Sequence, residues 1–285
     1  MKKMYLVMHQ RKPDTVSIIQ SVVDAMIKSG LEPIAEPWLS SVMEKVCPGL
    51  SYAQEPDGCD AILAIGGDGT FRGARALSKH GVNEVCIPAT IDNDISCTNY
   101  CIGFDSAANT AIECIDKLRD TMQSHERCSV VEVMGHNAGH LALHVAIACG
   151  AQAVLVPEKP FDFQRDVVEK IRAGRINKRS HFIIIQAEGV GNSVDITNRI
   201  IEETGIDTRL TIPGHIQRGG SPMARDRVMA SRFGEYAVHT LMAGKTNRVV
   251  CARDNDICDI DINEALDMKK DLPENMYMTS KIMSI

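Results

Sequence analysis

The chain has 285 residues, 44% of them hydrophobic and 24% charged, enough to bury a large core in one large domain or two modest ones. A formal net charge of −6 without any long basic run argues against nucleic acid and acidic membrane as partners. No stretch approaches the roughly 18–20 apolar residues of a membrane span, and the start MKKMYLVMHQRKPD has too short an apolar run for a signal peptide.

MYLVMH (4–9) reads as a strand. A helix follows, with apolar residues at Val16, Ile19, Val22, Val23, Met26 and Ile27 and with Gly30 as its C-cap. LEPIAE (31–36) reads as a weak second strand, AILAIGGDG (61–69) as a buried strand running into a glycine turn, and EVCIPAT (84–90) as a strand ending at a turn. A helix is expected over about 106–122. The apolar runs CSVVEVM (128–134), AVLVPE (153–158) and HFIIIQAEG (181–189) come next. Strands alternating with helices predict a parallel α/β sheet, whose ligands sit at the carboxyl ends of the strands. The polar motifs of the chain fall at those ends. The ten cysteines form no CxxC pair and read as small buried hydrophobes in a reducing cytoplasm.

Four motifs carry chemistry. Gly66-Gly67-Asp68-Gly69-Thr70 lets the backbone approach phosphate oxygens at a helix N-terminus, and Asp68 can hold Mg²⁺; a plain strand-to-helix turn fits it equally well. In Thr90-Ile91-Asp92-Asn93-Asp94 one carboxylate can accept a hydroxyl proton while the other binds Mg²⁺; alone, an Asx-turn explains it. Arg209, His215 and Arg218, in a glycine-bearing segment, suit a phosphate monoester. His136 and His140 stand at helical spacing for a metal pair, but Gly139 lies between them and no third ligand is evident.

In the order GGDGT, PATIDNDI, HERCSVVEVMG, AEG and PGHIQRGGSP, the chain resembles the bacterial-type 6-phosphofructokinases from about Ala61 to near its C-terminus. The resemblance implies two doubly wound α/β domains with mostly parallel sheets, over 1–103 with 216–267 and over 104–215 with 268–285. It implies ATP-dependent phosphorylation of fructose 6-phosphate at the 1-hydroxyl, a glycolytic step in the cytoplasm, with Mg²⁺ as cofactor. Gly67, Asp68, Gly69, Thr70 and Gly73 match the nucleotide-phosphate and Mg²⁺ loop. Asp92 matches the base, with Thr90 and Asp94 as its supports and Asp94 on the metal side. Met134, Gly135 and Glu188 match sugar contacts, and Arg127, Arg209, His215 and Arg218 match the 6-phosphate pocket. The counterparts of Arg127 and Arg209 reach in from a neighbouring subunit, so a homo-oligomer, dimer or tetramer, with shared active sites is implied. The branch that uses pyrophosphate has Asp where this chain has Gly69 and Lys where it has Ala89, so both positions favour a nucleotide donor.

Two departures accompany the resemblance. The first 60 residues lack the family's first glycine-rich loop and its later arginine-bearing segment; they look more like the start of NAD kinases, which share GGDGT. The family's arginine after Met-Gly is His136 here. Both absent arginines serve the transferred phosphoryl group, where such residues contribute about 10³–10⁵ in rate at best. His136 replaces that charge only when protonated, and Arg11 or Lys12 of the QRKPD segment is an alternative source. The alternatives are therefore an NAD kinase-like activity, or a weakly active or non-catalytic regulatory homologue that binds sugar phosphate. In the family's regulatory pocket a carboxylate is replaced by Gln152, while Arg119 and Arg179 remain, which implies an absent or altered effector response.

Overall fold

The structure is a computed structural model and describes residues 3–8, 15–122 and 127–283. Arg11 and Lys12 of the QRKPD segment, with His125 and Glu126, lie outside the described residues.

In chain order the strands and helices are β1 Lys3–Met8, α1 Thr15–Lys28, β2 Glu32–Ala35, α2 Ser40–Met43, β3 Ser51–Tyr52, β4 Ala61–Gly66, α3 Asp68–Ser78, β5 Glu84–Pro88 and α4 Phe104–Met122. There follow β6 Arg127–Val133, α5 His140–Cys149, β7 Ala153–Leu155, α6 Glu169–Ile176, β8 His181–Ala187, α7 Ser193–Thr204 and β9 Asp207–Thr211. The last are α8 Ala224–Met242, β10 Arg248–Arg253, β11 Asp256–Asp261, α9 Ile262–Asp267 and α10 Glu274–Met283. They fall into two compact units. The first is Met1–Thr90, Ile95–Asp105 and Gly220–Lys270; the second is Ile91–Asp94, Ser106–Gly219 and Asp271–Ile285.

The first unit holds a seven-stranded sheet in the order β11-β10-β5-β4-β1-β2-β3. Every pairing is parallel except the β10–β11 hairpin. Central β4 is buried at all six positions of AILAIG, the continuous apolar run that a parallel strand covered on both faces requires. Helix α1 turns Ile19, Val22, Val23 and Met26 inward, while Ile27 stays half-exposed. Its partner α8 approaches closely at Gly234, where a Cβ would lie 3.0 Å from Val22 Cγ2. The second unit holds a parallel four-stranded sheet, β7-β8-β6-β9. Its core packs Val130, Phe182 and Ile184 of the strands against Val167, Ile171 and Ile200 of the flanking segments.

The predicted strands and the helix over 106–122 are present with small changes at their ends; that helix begins at Phe104, and the run 153–158 is strand only over Ala153–Leu155. Strands β3, β9, β10 and β11 had no sequence expectation. The helical pairing of His136 with His140 is corrected. His136 sits in a turn at φ 53°, and α5 begins only at His140, so the two do not share a helical face. Among the described residues no group of three or more His, Cys, Asp or Glu is arranged to hold a metal.

One buried charge site is specific to β5. Glu84 is fully buried. Its Oε2 accepts from the Cys86 thiol at 3.4 Å, while Oε1 has no hydrogen-bond partner among the described residues. Burial pushes its carboxyl up to about 7 from 4.5, and Asp261 adds to the rise. A carboxyl raised in the folded state destabilises the fold once pH passes its unfolded value, because the folded chain binds the proton that the unfolded chain has released. The penalty therefore grows from pH near 4.5 to near 7 and is constant above, reaching roughly 3 kcal/mol. Urea midpoints measured across that window should fall for the wild type relative to Glu84→Gln; parallel curves would contradict a raised Glu84.

Candidate active site

In the first unit, β4 ends at Gly66 and α3 starts at Asp68 with Gly67 as its N-cap. The sharp turn has a packing reason. A Cβ on Gly66 would lie 2.2 Å from Thr70 Oγ1, so the Thr70 side chain folds over a bare backbone. Gly69 and Gly73 have open space where a side chain would stand, which leaves the helix N-terminus and its first turn accessible. Asp68 accepts from the Gly69 N–H at 2.8 Å and lies 3.5 Å from Arg72 Nε. Its side chain is 62% exposed, so that ion pair is weak and the carboxylate is open to another cation. Thr90, buried, faces this loop: a Gly67 Cβ would lie 3.8 Å from the Thr90 Cβ. Beside the loop is an apolar pocket of about 440 Å³. It is lined by Thr70, Gly73, Ala74 and Leu77 along one face of α3 and by Val7 and Met8 at the end of β1. No local pattern marks this slot, because it depends on the pairing of β1 with β4.

Ile91–Asp94 belongs to the second unit. The turn closes through Asn93 at φ 51°, a left-handed conformation that asparagine tolerates better than most residues. Asp92 and Asp94 flank it, both partly buried.

Met134, Gly135 and Glu188 meet at the carboxyl ends of β6 and β8. Glu188 Oε1 accepts from the Gly135 N–H at 3.1 Å and the His136 N–H at 2.5 Å. Gly135 has φ 144°, and a Cβ there would lie 2.4 Å from the Ala138 carbonyl oxygen, so only glycine fits. Gln217, which sequence reasoning passed over within GHIQRGG, accepts from the Met134 N–H at 3.2 Å. It thereby fastens the Gly214–Arg218 turn, with His215 and Arg218, to the same end of the sheet. His136 is exposed, its Nε2 3.2 Å from Asn137 Nδ2.

Arg127 and Arg209 are elsewhere. Arg127 opens β6, so it stands about 20 Å along the strand from Met134. Arg209 pairs in register with Ser129, near the same start. Asp207, a residue the motifs did not flag, holds both: its carboxylate is 3.1 Å from Arg127 Nε and 3.2 Å from an Arg209 terminal nitrogen. Within one chain the structure thus joins Met134, Gly135, Glu188, His215 and Arg218 at one sheet end and leaves these two arginines at the other.

A second pocket of about 440 Å³ in this unit is lined by Arg119, Gln152, Arg179 and His181 among others. Arg179 donates to Gln152 Oε1 at 2.8 Å. Burial, helped by Arg119 and Arg179, lowers the His181 pKa.

A glycine turn at a helix N-terminus, an acid-bearing turn and a cationic loop define an α/β protein built for phosphate-bearing ligands. The phosphofructokinase family model matches residues 43–241. The chain is 54% identical over 220 residues to the ATP-dependent 6-phosphofructokinase 1 of Clostridium perfringens (strain 13 / Type A), covering 77% of this chain and 69% of that one. It is 51% identical over 227 residues to the ATP-dependent 6-phosphofructokinase of Clostridium novyi (strain NT), covering 80% and 71%. The chain belongs to the phosphofructokinase family. Phosphofructokinase from Saccharomyces cerevisiae shares the fold over 100% of this chain, with a TM-score of 0.82 at 24% identity, although the chain spans only 47% of that protein. A pyrophosphate-dependent phosphofructokinase from Marinobacter aquaeolei has a TM-score of 0.78 at 17% identity, covering 96% of this chain and 86% of its own.

Gly135→Ala should destabilise the second unit by about 1–3 kcal/mol, from positive φ and contact with the Ala138 carbonyl together. It should also weaken sugar-phosphate binding. Thermal unfolding and calorimetric titration check both, and a variant unchanged in each would remove the steric argument.

Proposed function

We propose that the chain transfers the terminal phosphoryl group of ATP to the 1-hydroxyl of fructose 6-phosphate, giving fructose 1,6-bisphosphate and ADP. The observation that carries this reading is the identity of 54% over 220 residues to an enzyme of that name. The family match over 43–241 includes every motif used below.

In this reading Gly67, Gly69, Thr70 and Gly73 receive the nucleotide phosphates, whose negative charge suits the N-terminus of α3. The apolar slot beside them suits the base. Asp92 accepts the proton of the sugar 1-hydroxyl as that oxygen attacks the phosphorus, and Thr90 buttresses the start of its turn. Glu188 Oε1 is occupied by two backbone N–H groups, which orients Oε2 as an acceptor for a sugar hydroxyl beside Met134 and Gly135. His215 and Arg218 offer charge to the 6-phosphate. His136 is proposed as a partial substitute for an arginine on the transferred group.

Asp68 and Asp94 are the proposed Mg²⁺ ligands. Both are hard oxygen donors, and the lack of a three-residue acidic or histidine cage among the described residues fits an ion that relies on one or two carboxylates, water and substrate phosphates. Bound there, Mg²⁺ would neutralise phosphate charge. Arg127 and Arg209 are assigned to the 6-phosphate of a neighbouring copy, because they stand about 16–23 Å along the sheet from their own chain's sugar-contact residues. A homo-oligomer, dimer or tetramer, follows from that assignment, and a cytoplasmic location suits the activity. With Gln152 where the family has a carboxylate, an altered effector response is the corollary for the Arg119–Arg179 pocket.

Initial rates in a matrix of donors (ATP, ADP, GTP and pyrophosphate) against acceptors (fructose 6-phosphate, related sugar phosphates and NAD) test the reaction. Phosphorylation of NAD, without that of fructose 6-phosphate, would overturn it. Asp92→Asn should lower kcat about 10²–10⁴-fold while leaving sugar-phosphate binding largely intact; a variant that retains half of wild-type turnover would take the base role from Asp92. Arg209→Ala should mainly raise the KM for fructose 6-phosphate, by about 10–100-fold if one charge-assisted contact of 1.5–3 kcal/mol is lost. An unchanged KM would remove Arg209 from the phosphate pocket.

A further inference from the structure

The first unit contains a three-thiol cluster that the phosphoryl-transfer chemistry does not use. Cys251 of β10 and Cys258 of β11 are direct partners in the antiparallel register, and their Sγ atoms are 3.6 Å apart. Cys251 is fully buried and Cys258 partly exposed. Cys97, buried in the same core cluster, makes a side-chain hydrogen bond with Cys251. Directly opposed residues in an antiparallel pair have Cα atoms about 4.5–5.5 Å apart, within the span a disulfide bridges without backbone movement. The hairpin is held in that register from outside. Thr98 Oγ1 accepts from the Ala252 N–H at 3.0 Å, and Arg253 Nε donates to the Cys97 carbonyl oxygen at 2.9 Å.

We propose that Cys251 and Cys258 are a reversible oxidation site, which closes to an intrachain disulfide when a peroxide reaches Cys258. Cys258 is the point of entry because it is the more exposed residue of the two; Cys251 resolves from beneath and needs no access of its own. The Cys258 thiolate takes an oxygen atom from the peroxide, the O–O bond breaks, and sulfenic acid and one water result once the thiol proton is counted. The Cys251 sulfur then attacks the Cys258 sulfur, the S–S bond forms, the S–O bond breaks, and a second water leaves with the Cys251 proton. Two thiols lose two electrons and two protons, and one hydrogen peroxide becomes two waters.

The surroundings make this a slow site at neutral pH. Burial raises the Cys258 thiol to about 11; neighbouring Cys251 and Asp259 add to the rise and Arg253 opposes it. The hydrogen bond with Cys97, followed by burial, also raises Cys251, again opposed by Arg253. Since the thiolate is the nucleophile, bridge formation should accelerate about tenfold per pH unit while pH stays well below that value.

The test exposes the full chain to hydrogen peroxide, alkylates the remaining thiols and maps the digest by mass spectrometry. The expected result is a Cys251–Cys258 linked peptide that forms faster at about pH 8.5 than at about pH 7.5 and is lost on treatment with dithiothreitol. Under the same exposure Cys258→Ser should leave Cys251 alkylatable, and Cys251→Ser should leave Cys258 as a sulfenic acid that dimedone traps. Circular dichroism of both variants checks that they fold, and the wild-type peptide map stands without them. Dominant linkage of Cys251 to Cys97, or no linked peptide once the other exposed thiols are oxidised, would overturn the proposal.

Discussion

The Asp226 carboxylate is the fixed point of the first unit. It lies at the start of α8, only 1% exposed, and a carboxylate that deep is tolerated only when its oxygens are met by donors. The Tyr100 hydroxyl and the Gly103 N–H both donate to its Oδ1, and the Arg225 guanidinium covers the Tyr100 ring at 4.5 Å. Burial and the adjacent Asp226 raise the Tyr100 pKa strongly, so the phenol stays a donor over any working pH. The chain segment after Ile91–Asp94 therefore has one way back into the sheet. Within the first unit the segment Ile95–Asp105 is thereby pinned to α8.

The chemistry-bearing residues also occupy costly backbone. The exit from β6 uses conformations few residues tolerate, Gly135 at φ 144° and His136 at 53°, and the turn at Asn93 does so too, at 51°. Gly135 and His136 are held by the Glu188 carboxylate, which takes both of their N–H groups. Strain held in this way is a means of presenting polar groups outward from the end of a rigid sheet.

Much of this was legible in the chain. AILAIG is continuous and apolar, and CSVVEVM is mostly so, broken by Ser129 and Glu132, because central parallel strands are buried on both faces; the glycine and acidic motifs stand at their ends. The edges were not legible. β11 is the edge strand and β10 lies beside it; β10 is a four-residue apolar run between arginines and β11 mixes acids with apolar residues without strict alternation, and such short runs do not separate from loop until they pair antiparallel. Contacts of long sequence separation left no local trace either. Tyr100 meets Asp226 across 126 positions, and Gln217 reaches Met134 across 83. Nor did spacing indicate that Asp207 would gather Arg127 and Arg209. That grouping exists because β6 and β9 are in register from their first residues.

The same register bears on how one chain can use its arginines. Arg127 and Arg209 flank one carboxylate, and Asp207 is partly exposed, so its two ion pairs are worth little in isolation. Their value is positional. A single acid between two guanidinium groups offsets their mutual repulsion at the start of the strands. Two guanidinium groups against one carboxylate leave a net positive charge on the edge strand β9 and its neighbour. No rotamer change carries an arginine, with its reach of about 7 Å, along the roughly 20 Å of strand to Met134. An anion that needs both the glycine turn after β6 and these two cations must find them in different copies of the chain. Catalysis would then depend on protein concentration wherever the assembly dissociates.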